Sequence, residues 1–198
     1  MINALVIVAH PDDETIWMGG TILNNKDWKW TIISLCRKND LDRTPKFMKV
    51  CGIYNVKGII SNLDDEILNS LPIEEVADKI KSLLSEKYYD FIFTHGENGE
   101  YGHIRHKEVH EAVKKLVNDR ELKCKKLLFF SYISGNEIPP KNPETRIAIP
   151  NPDADETMDL SEEILKKKKE IVRDMYGYPE LGFEVMCCNK IEAFDVGK

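Results

Sequence analysis

The chain has 198 residues, a formal net charge of −6 and 42% hydrophobic residues. That is the size and composition of one globular domain able to bury a core, which excludes global disorder. The acidic balance argues against a duplex nucleic-acid binder, which carries a basic face, and no run of about 18 apolar residues exists to span a membrane.

The chain opens without a basic region, so it reads as a strand rather than a signal peptide. Residues 3–9 (NALVIVA) form a nearly continuous apolar run, the pattern of a strand buried on both faces of a parallel sheet. Residues 14–24 suit a helix weakened by Gly19 and Gly20. Residues 30–36 (WTIISLC) form a second strand, 44–54 a helix with Pro45 in its first turn, and 57–60 a short strand. Residues 72–86 give the clearest helix. Ile73, Val76, Ala77, Ile80, Leu83 and Leu84 make one apolar stripe on it. A strand at 90–94, a helix at 104–117 and a strand at 127–133 follow. This alternation implies βαβ units and a parallel sheet with helices on both faces. Residues 135–159 hold five prolines and little periodicity, and read as a long loop with one strand at 146–149. Residues 160–176 predict an amphipathic helix whose lysines 166–169 form a solvated face, and 183–187 predict a last strand. The adjacent Cys187 and Cys188 read as strand packing. Five cysteines without a CxxC spacing argue for reduced thiols and a cytoplasmic setting.

Two segments carry chemistry. The first strand ends at His10-Pro11-Asp12-Asp13-Glu14, where a dinucleotide-binding unit would place a glycine-rich loop. Three carboxylates would repel a phosphate there. With a histidine before them they suit a cation such as Zn²⁺ or Fe²⁺, although an acidic, capped helix start is the plainer alternative. The fourth strand ends at residues 95–106 (HGENGEYGHIRH), followed by His110. His103, His106 and His110 lie at helical spacing, and in a parallel sheet this segment shares an edge with His10. His95 and His110 taken singly read as structural. Together the segments offer a His/Asp/His site with spare acid–base groups. Spacing alone leaves open which aspartate binds. Catalytic zinc takes three protein ligands and leaves one position for water.

The AHPDDE segment (residues 9–14) with GEYGHIRH (residues 99–106) resembles the N-acetylglucosaminyl-phosphatidylinositol de-N-acetylase family, also called PIG-L or LmbE-like. An Arg-containing segment after the second strand and a Lys-bearing C-terminal helix extend the likeness over most of the chain. The resemblance implies an α/β, Rossmann-like three-layer fold with a mostly parallel central sheet. It would form a single domain over 1–198, with an α/β core at 1–134 and a loop, helix and strand at 135–198 completing the pocket. It further implies a zinc ion, with Fe²⁺ as the other candidate, and hydrolysis of an N-acetyl group from an amino sugar or glycoconjugate. By position, His10, Asp13 and His106 match the metal ligands and Asp12 the general base. His103 matches the residue that stabilises the oxyanion or protonates the leaving amine, and Tyr101 one that polarises the carbonyl. Arg43 and Asp64 match substrate contacts. Arg105 stands where the family commonly has Asp, and its cation is expected to lower the His103 pKa if the two heads approach. The other readings are hydrolysis of a different N-acyl amine, or a carbohydrate-binding or regulatory module with a vestigial site. No nucleic-acid or membrane partner is expected, and a homo-oligomer is left open.

Overall fold

A computed structural model describes residues 1–66 and 69–197. The first strand, β1 (Asn3–Val8), is apolar because it lies mid-sheet with helices on both sides, and only its first residue is not fully buried. It is followed by α1 (Asp13–Asn24), β2 (Lys29–Cys36), α2 (Arg43–Tyr54), β3 (Lys57–Leu63), α3 (Ile73–Leu83), β4 (Tyr88–Thr94), a one-turn α4 (Gly99–Gly102), α5 (Ile104–Asn118) and β5 (Lys123–Phe130). These five strands are parallel in the order β3-β2-β1-β4-β5. The chain then makes a small ribbon, β6 (Tyr132–Ser134) with β7 (Ala148–Pro150), and adds β8 (Glu156–Asp159). It continues through α6 (Glu162–Glu170), a π-helical turn (Ile171–Met175) and α7 (Phe183–Met186) to β9 (Ile191–Val196). The last strand pairs antiparallel with β5, and β8 pairs antiparallel with β9, completing a seven-stranded sheet.

Alternation along each strand divides the core. One face packs Val6, Ile32, Phe93 and Phe130 with Ile16, Phe47 and Val172 from the helical side of α1, α2 and the π turn. The other packs Leu5, Ile33, Ile92 and Phe129 with Val76 and Ile80 of α3 and Val109 and Val113 of α5. Strand order reverses between β1 and β4, so a crevice opens at their carboxyl ends, where ligands bind in open α/β sheets.

The structure revises several predicted elements. The strand predicted at 127–133 is two, because at Ser131 the chain changes partners. Its N–H donates to the Ala193 carbonyl and its own carbonyl accepts from Asn151. The tail strand predicted at 183–187 is instead the short helix α7, and the true strand lies at Ile191–Val196. A five-residue segment, FEVMC, is too short to carry a decisive period. Cys187 and Cys188 are therefore buried after a helix, not within a strand, and the Cys187 Sγ accepts from the Ala148 N–H. Strand β8 lies inside the stretch read as loop. The lysine run is not uniformly solvated. Lys168 is fully buried and its Nζ sits 2.7 Å from Glu192 Oε1.

Candidate functional site

Loops after β1, β2, β3 and β4 meet at the crevice. The first turns sharply: Asp12 has φ 130°, a strained backbone for a non-glycine residue, and it starts α1. Its side chain makes no cap bond. Asp12 therefore does not cap the helix, although Glu14 Oε2 accepts the Asp12 backbone N–H at 3.0 Å. The Asp13 carboxylate accepts the His10 backbone N–H at 2.8 Å and the Trp17 Nε1–H at 3.1 Å, which fixes both of its oxygens.

His10, Asp13 and His106 converge. His10 Nδ1 faces His106 Nε2 at 3.2 Å, and Asp13 Oδ2 lies 3.3 Å from the first and 3.4 Å from the second. Donors of a tetrahedral zinc site, about 2.0–2.1 Å from the ion, stand roughly 3.3–3.4 Å apart. The outer nitrogens are committed to carboxylates. His10 Nε2–H donates to Asp65 Oδ1 at 3.1 Å, and His106 Nδ1–H donates to Glu100 Oε2 at 2.5 Å. A carboxylate can only accept, so both imidazoles turn a lone pair inward. Two lone pairs and a carboxylate oxygen converging at this spacing fit a divalent cation, and the N,N,O donor set suits zinc or ferrous iron.

Burial opposes ionisation of Asp13, yet His106 and His95 hold it well below the usual carboxylate range. Against burial, His95 and His106 hold Glu100 down at about 2, and His10 and Arg37 hold Asp65 at about 2. Burial likewise opposes a proton on His10, but Asp13 and Asp65 push its pKa up to about 10.

Glu100 reaches inward because the turn around it is left-handed, with φ 65° at Gly99 and 57° at Glu100. A Cβ at Gly99 would also lie 3.3 Å from the His106 Cβ. His95 stacks on His106 with ring centroids 3.8 Å apart. Its Nε2 accepts the Ala9 N–H at 2.9 Å, so that lone pair is taken. His110 donates from Nδ1 to the His95 carbonyl. Both histidines are thus held in structural bonds.

Beside the triad lies a cleft of about 300 Å³ that includes Asp12, Arg43, Tyr101, His103 and Asp65. Past residue 134 it takes Tyr178, Phe183 and Glu184. The Asp12 Oδ2 accepts from Arg43 Nη1 at 3.2 Å and from the Tyr178 hydroxyl, and the Arg43 guanidinium lies over the Tyr178 ring at 4.7 Å. Burial and the neighbouring Asp13 push the Asp12 pKa up to about 8, against the pull of Arg43, Tyr178 and His10. His103 begins α5, and its Nδ1 accepts the Arg105 N–H at 3.3 Å. Burial, then His106 and His10, lower its pKa to about 3. Tyr101 packs edge-on to His103 and to Phe183, with ring centroids 5.8 and 4.7 Å apart.

Arg105 does not approach His103 in the way expected from the sequence. It is fully buried and donates to the Asp64 carbonyl, the Asn69 carbonyl and Glu108 Oε2. The low His103 pKa thus comes from burial and its neighbouring histidines. Asp64 does not reach the cleft beside the triad either. Its side chain is half exposed, within 3.5 Å of Arg105, and its neighbour Asp65 faces inward instead. Sequence reasoning missed Asp65, Glu100, Tyr178 and Glu184.

A model of the family described as PIG-L: GlcNAc-PI de-N-acetylase matches residues 5–117. Protein L374 of Acanthamoeba polyphaga mimivirus is 28% identical over 132 residues, 59% of this chain. The match spans 57% of that relative, little more than half its length. Among solved structures, a deacetylase triple mutant (Orf2*T) involved in a teicoplanin biosynthetic pathway aligns with TM-score 0.64 at 15% identity. That alignment covers 88% of this chain and 81% of the other, and shows a shared fold. No helix among the described residues is long and apolar enough to cross a membrane.

Proposed function

The chain belongs to the GlcNAc-PI de-N-acetylase (PIG-L) family of N-deacetylase-type hydrolases, and we propose that it removes the N-acetyl group of an amino sugar or glycoconjugate in a metal-dependent reaction. The observation that carries this reading is the inward convergence of His10, Asp13 and His106, with a carboxylate outside that triad, Asp12, beside it. When bound there, zinc or ferrous iron supplies a Lewis acid and an acidified water.

The chain's own residues divide the remaining work. Asp12, whose ionised form a divalent cation on the triad would favour, takes a proton from the attacking water, and Arg43 and Tyr178 hold its carboxylate in place. His103 accepts at Nδ1, so its neutral ring carries the proton on Nε2 and donates to the acyl oxygen as charge develops. This geometry favours oxyanion stabilisation over amine protonation for His103. The Tyr101 hydroxyl is a second donor lining the same cleft. The water oxygen bonds the acyl carbon, the C–N bond breaks, and the proton held by Asp12 passes to the departing nitrogen. Acetate and a free amine leave. The unpaired cysteines support a reducing, cytoplasmic setting.

The test is acetate release from a panel of N-acetylglucosamine conjugates and simple N-acyl amines, with zinc or ferrous iron added. We expect release from the sugar conjugates. Asp12→Asn should lower it by about 10²–10⁴-fold with metal content unchanged by elemental analysis. Wild-type turnover in Asp12→Asn would remove Asp12 from the mechanism. Release confined to the non-sugar amines would overturn the substrate class.

A further inference from the structure

Resting on the deacetylase reading, we propose that the substrate brings no anionic group into this cleft: beyond its N-acetyl amino sugar it is polyhydroxylated and uncharged or cationic, and phosphate-bearing conjugates are rejected. The cleft beside the triad is lined by the carboxylates of Asp12, Asp13, Asp40, Asp65 and Glu184. Arg37, Asp40 and Asp65 border both this cleft and a second one of about 410 Å³ at the end of β3, which adds Asp64 and Glu66.

Among the described residues, the lysines and arginines lining these two clefts are Arg37 and Arg43 only. Both are committed. Arg37 Nη2 lies 2.6 Å from Asp65 Oδ2, and Arg43 Nη1 lies 3.2 Å from Asp12 Oδ2. A divalent ion on the triad and the two guanidiniums together bring four positive charges against the five carboxylates of the first cleft, and Asp64 and Glu66 add two further carboxylates in the second. The Asp40 charge is anchored, because its Oδ1 accepts the backbone N–H groups of Asp42 and Arg43, each at 2.9 Å. A phosphate placed here would compete with Asp65 and Asp12 for the two guanidiniums and be repelled by the remaining carboxylates, unlike a site whose arginine forks are free for phosphate.

The rest of the lining suits a sugar. Tyr101, Tyr178 and Phe183 put aromatic rings on the first cleft, and Asn39 and Asn62 join the carboxylates in the second as partners for hydroxyl groups. An ammonium group would gain directly from the surplus carboxylates.

Three glycosides of N-acetylglucosamine differing only in the attached group test this: inositol, inositol phosphate and glucosamine. Each is assayed for acetate release and titrated calorimetrically against the metal-loaded protein. We expect the neutral and cationic glycosides to exceed the phosphate one by at least about tenfold in kcat/KM and in affinity at low salt. The gap should shrink in about 0.5 M salt. The double variant Asp40→Asn/Glu184→Gln should narrow it by about threefold at low salt, since Asn keeps the local backbone bonds of Asp40 without its charge. A phosphate glycoside that binds and turns over as well as the neutral one overturns the proposal. If no glycoside releases acetate, the deacetylase reading fails, and the calorimetric order still decides the charge preference: the same ranking supports it and the opposite ranking overturns it.

Discussion

Two buried carboxylates decide which nitrogen of each central imidazole faces the ion site. Asp65 holds His10 by Nε2, and Glu100 holds His106 by Nδ1. Glu100→Gln should weaken zinc binding by about 10–100-fold, read by competition with a chromophoric chelator, while kcat at saturating zinc changes little. Tyr178→Phe leaves Asp12 held by Arg43 alone. We expect kcat to fall about tenfold with KM within about twofold, as when an interaction that orients a catalytic group is lost. The residues of the triad, with Asp12, Tyr101 and His103, were visible as motif positions in the chain. Glu100 sat inside the same motif, and its signal was the left-handed turn that the flanking glycines permit. The choice between Asp64 and Asp65 was not readable, because one position along an extended segment swaps the inward and outward faces. Tyr178 had no signal at all. It lies 166 residues from its Asp12 partner in a stretch without periodicity.

The first helix is not continuous. Met18 has φ −147°, outside helical values, which interrupts the hydrogen-bond ladder ahead of Gly20 and Thr21. Glu192, from β9, accepts both freed N–H groups, at 2.8 and 2.7 Å, and the Thr21 hydroxyl. Lys168 from α6 neutralises it, and both side chains are fully buried. One glutamate therefore starts the second half of α1 and ties it to two distant elements. Lys168→Met leaves that charge buried without its cation and should cost about 3–5 kcal/mol, read as a lower urea midpoint. A cost below about 1 kcal/mol would show that the pair does not hold the helix. The alternation of strands and helices through α5 was legible because each strand is a short apolar run and each helix has a stripe. The region after β5 was harder to read. Its strands hold three to six residues, and their partners are fixed by contacts such as Ser131 with Ala193 that no local pattern announces.

At the level of the whole molecule, the triad ties the two halves of the sheet together. His10 follows β1 and His106 lies 96 positions later on α5. A cation that binds only the folded arrangement stabilises it by mass action, about 2.7 kcal/mol at a hundredfold excess over Kd. For a chain of this size that corresponds to a rise of roughly 5–10 °C in Tm. Calorimetry with zinc against calorimetry with chelator checks this, and an identical Tm in both would contradict a metal centre at the triad.

The same topology bears on synthesis. The central strand β1 pairs on one side with β2 and on the other with β4. At ordinary elongation speeds of about 5–20 residues per second, β4 leaves the ribosome roughly 4–17 s after β1. During that interval the most apolar strand of the protein keeps one edge unpaired, a template for wrong partners. A nascent chain halted before residue 88 should therefore bind holdase chaperones more strongly than one that extends past residue 94.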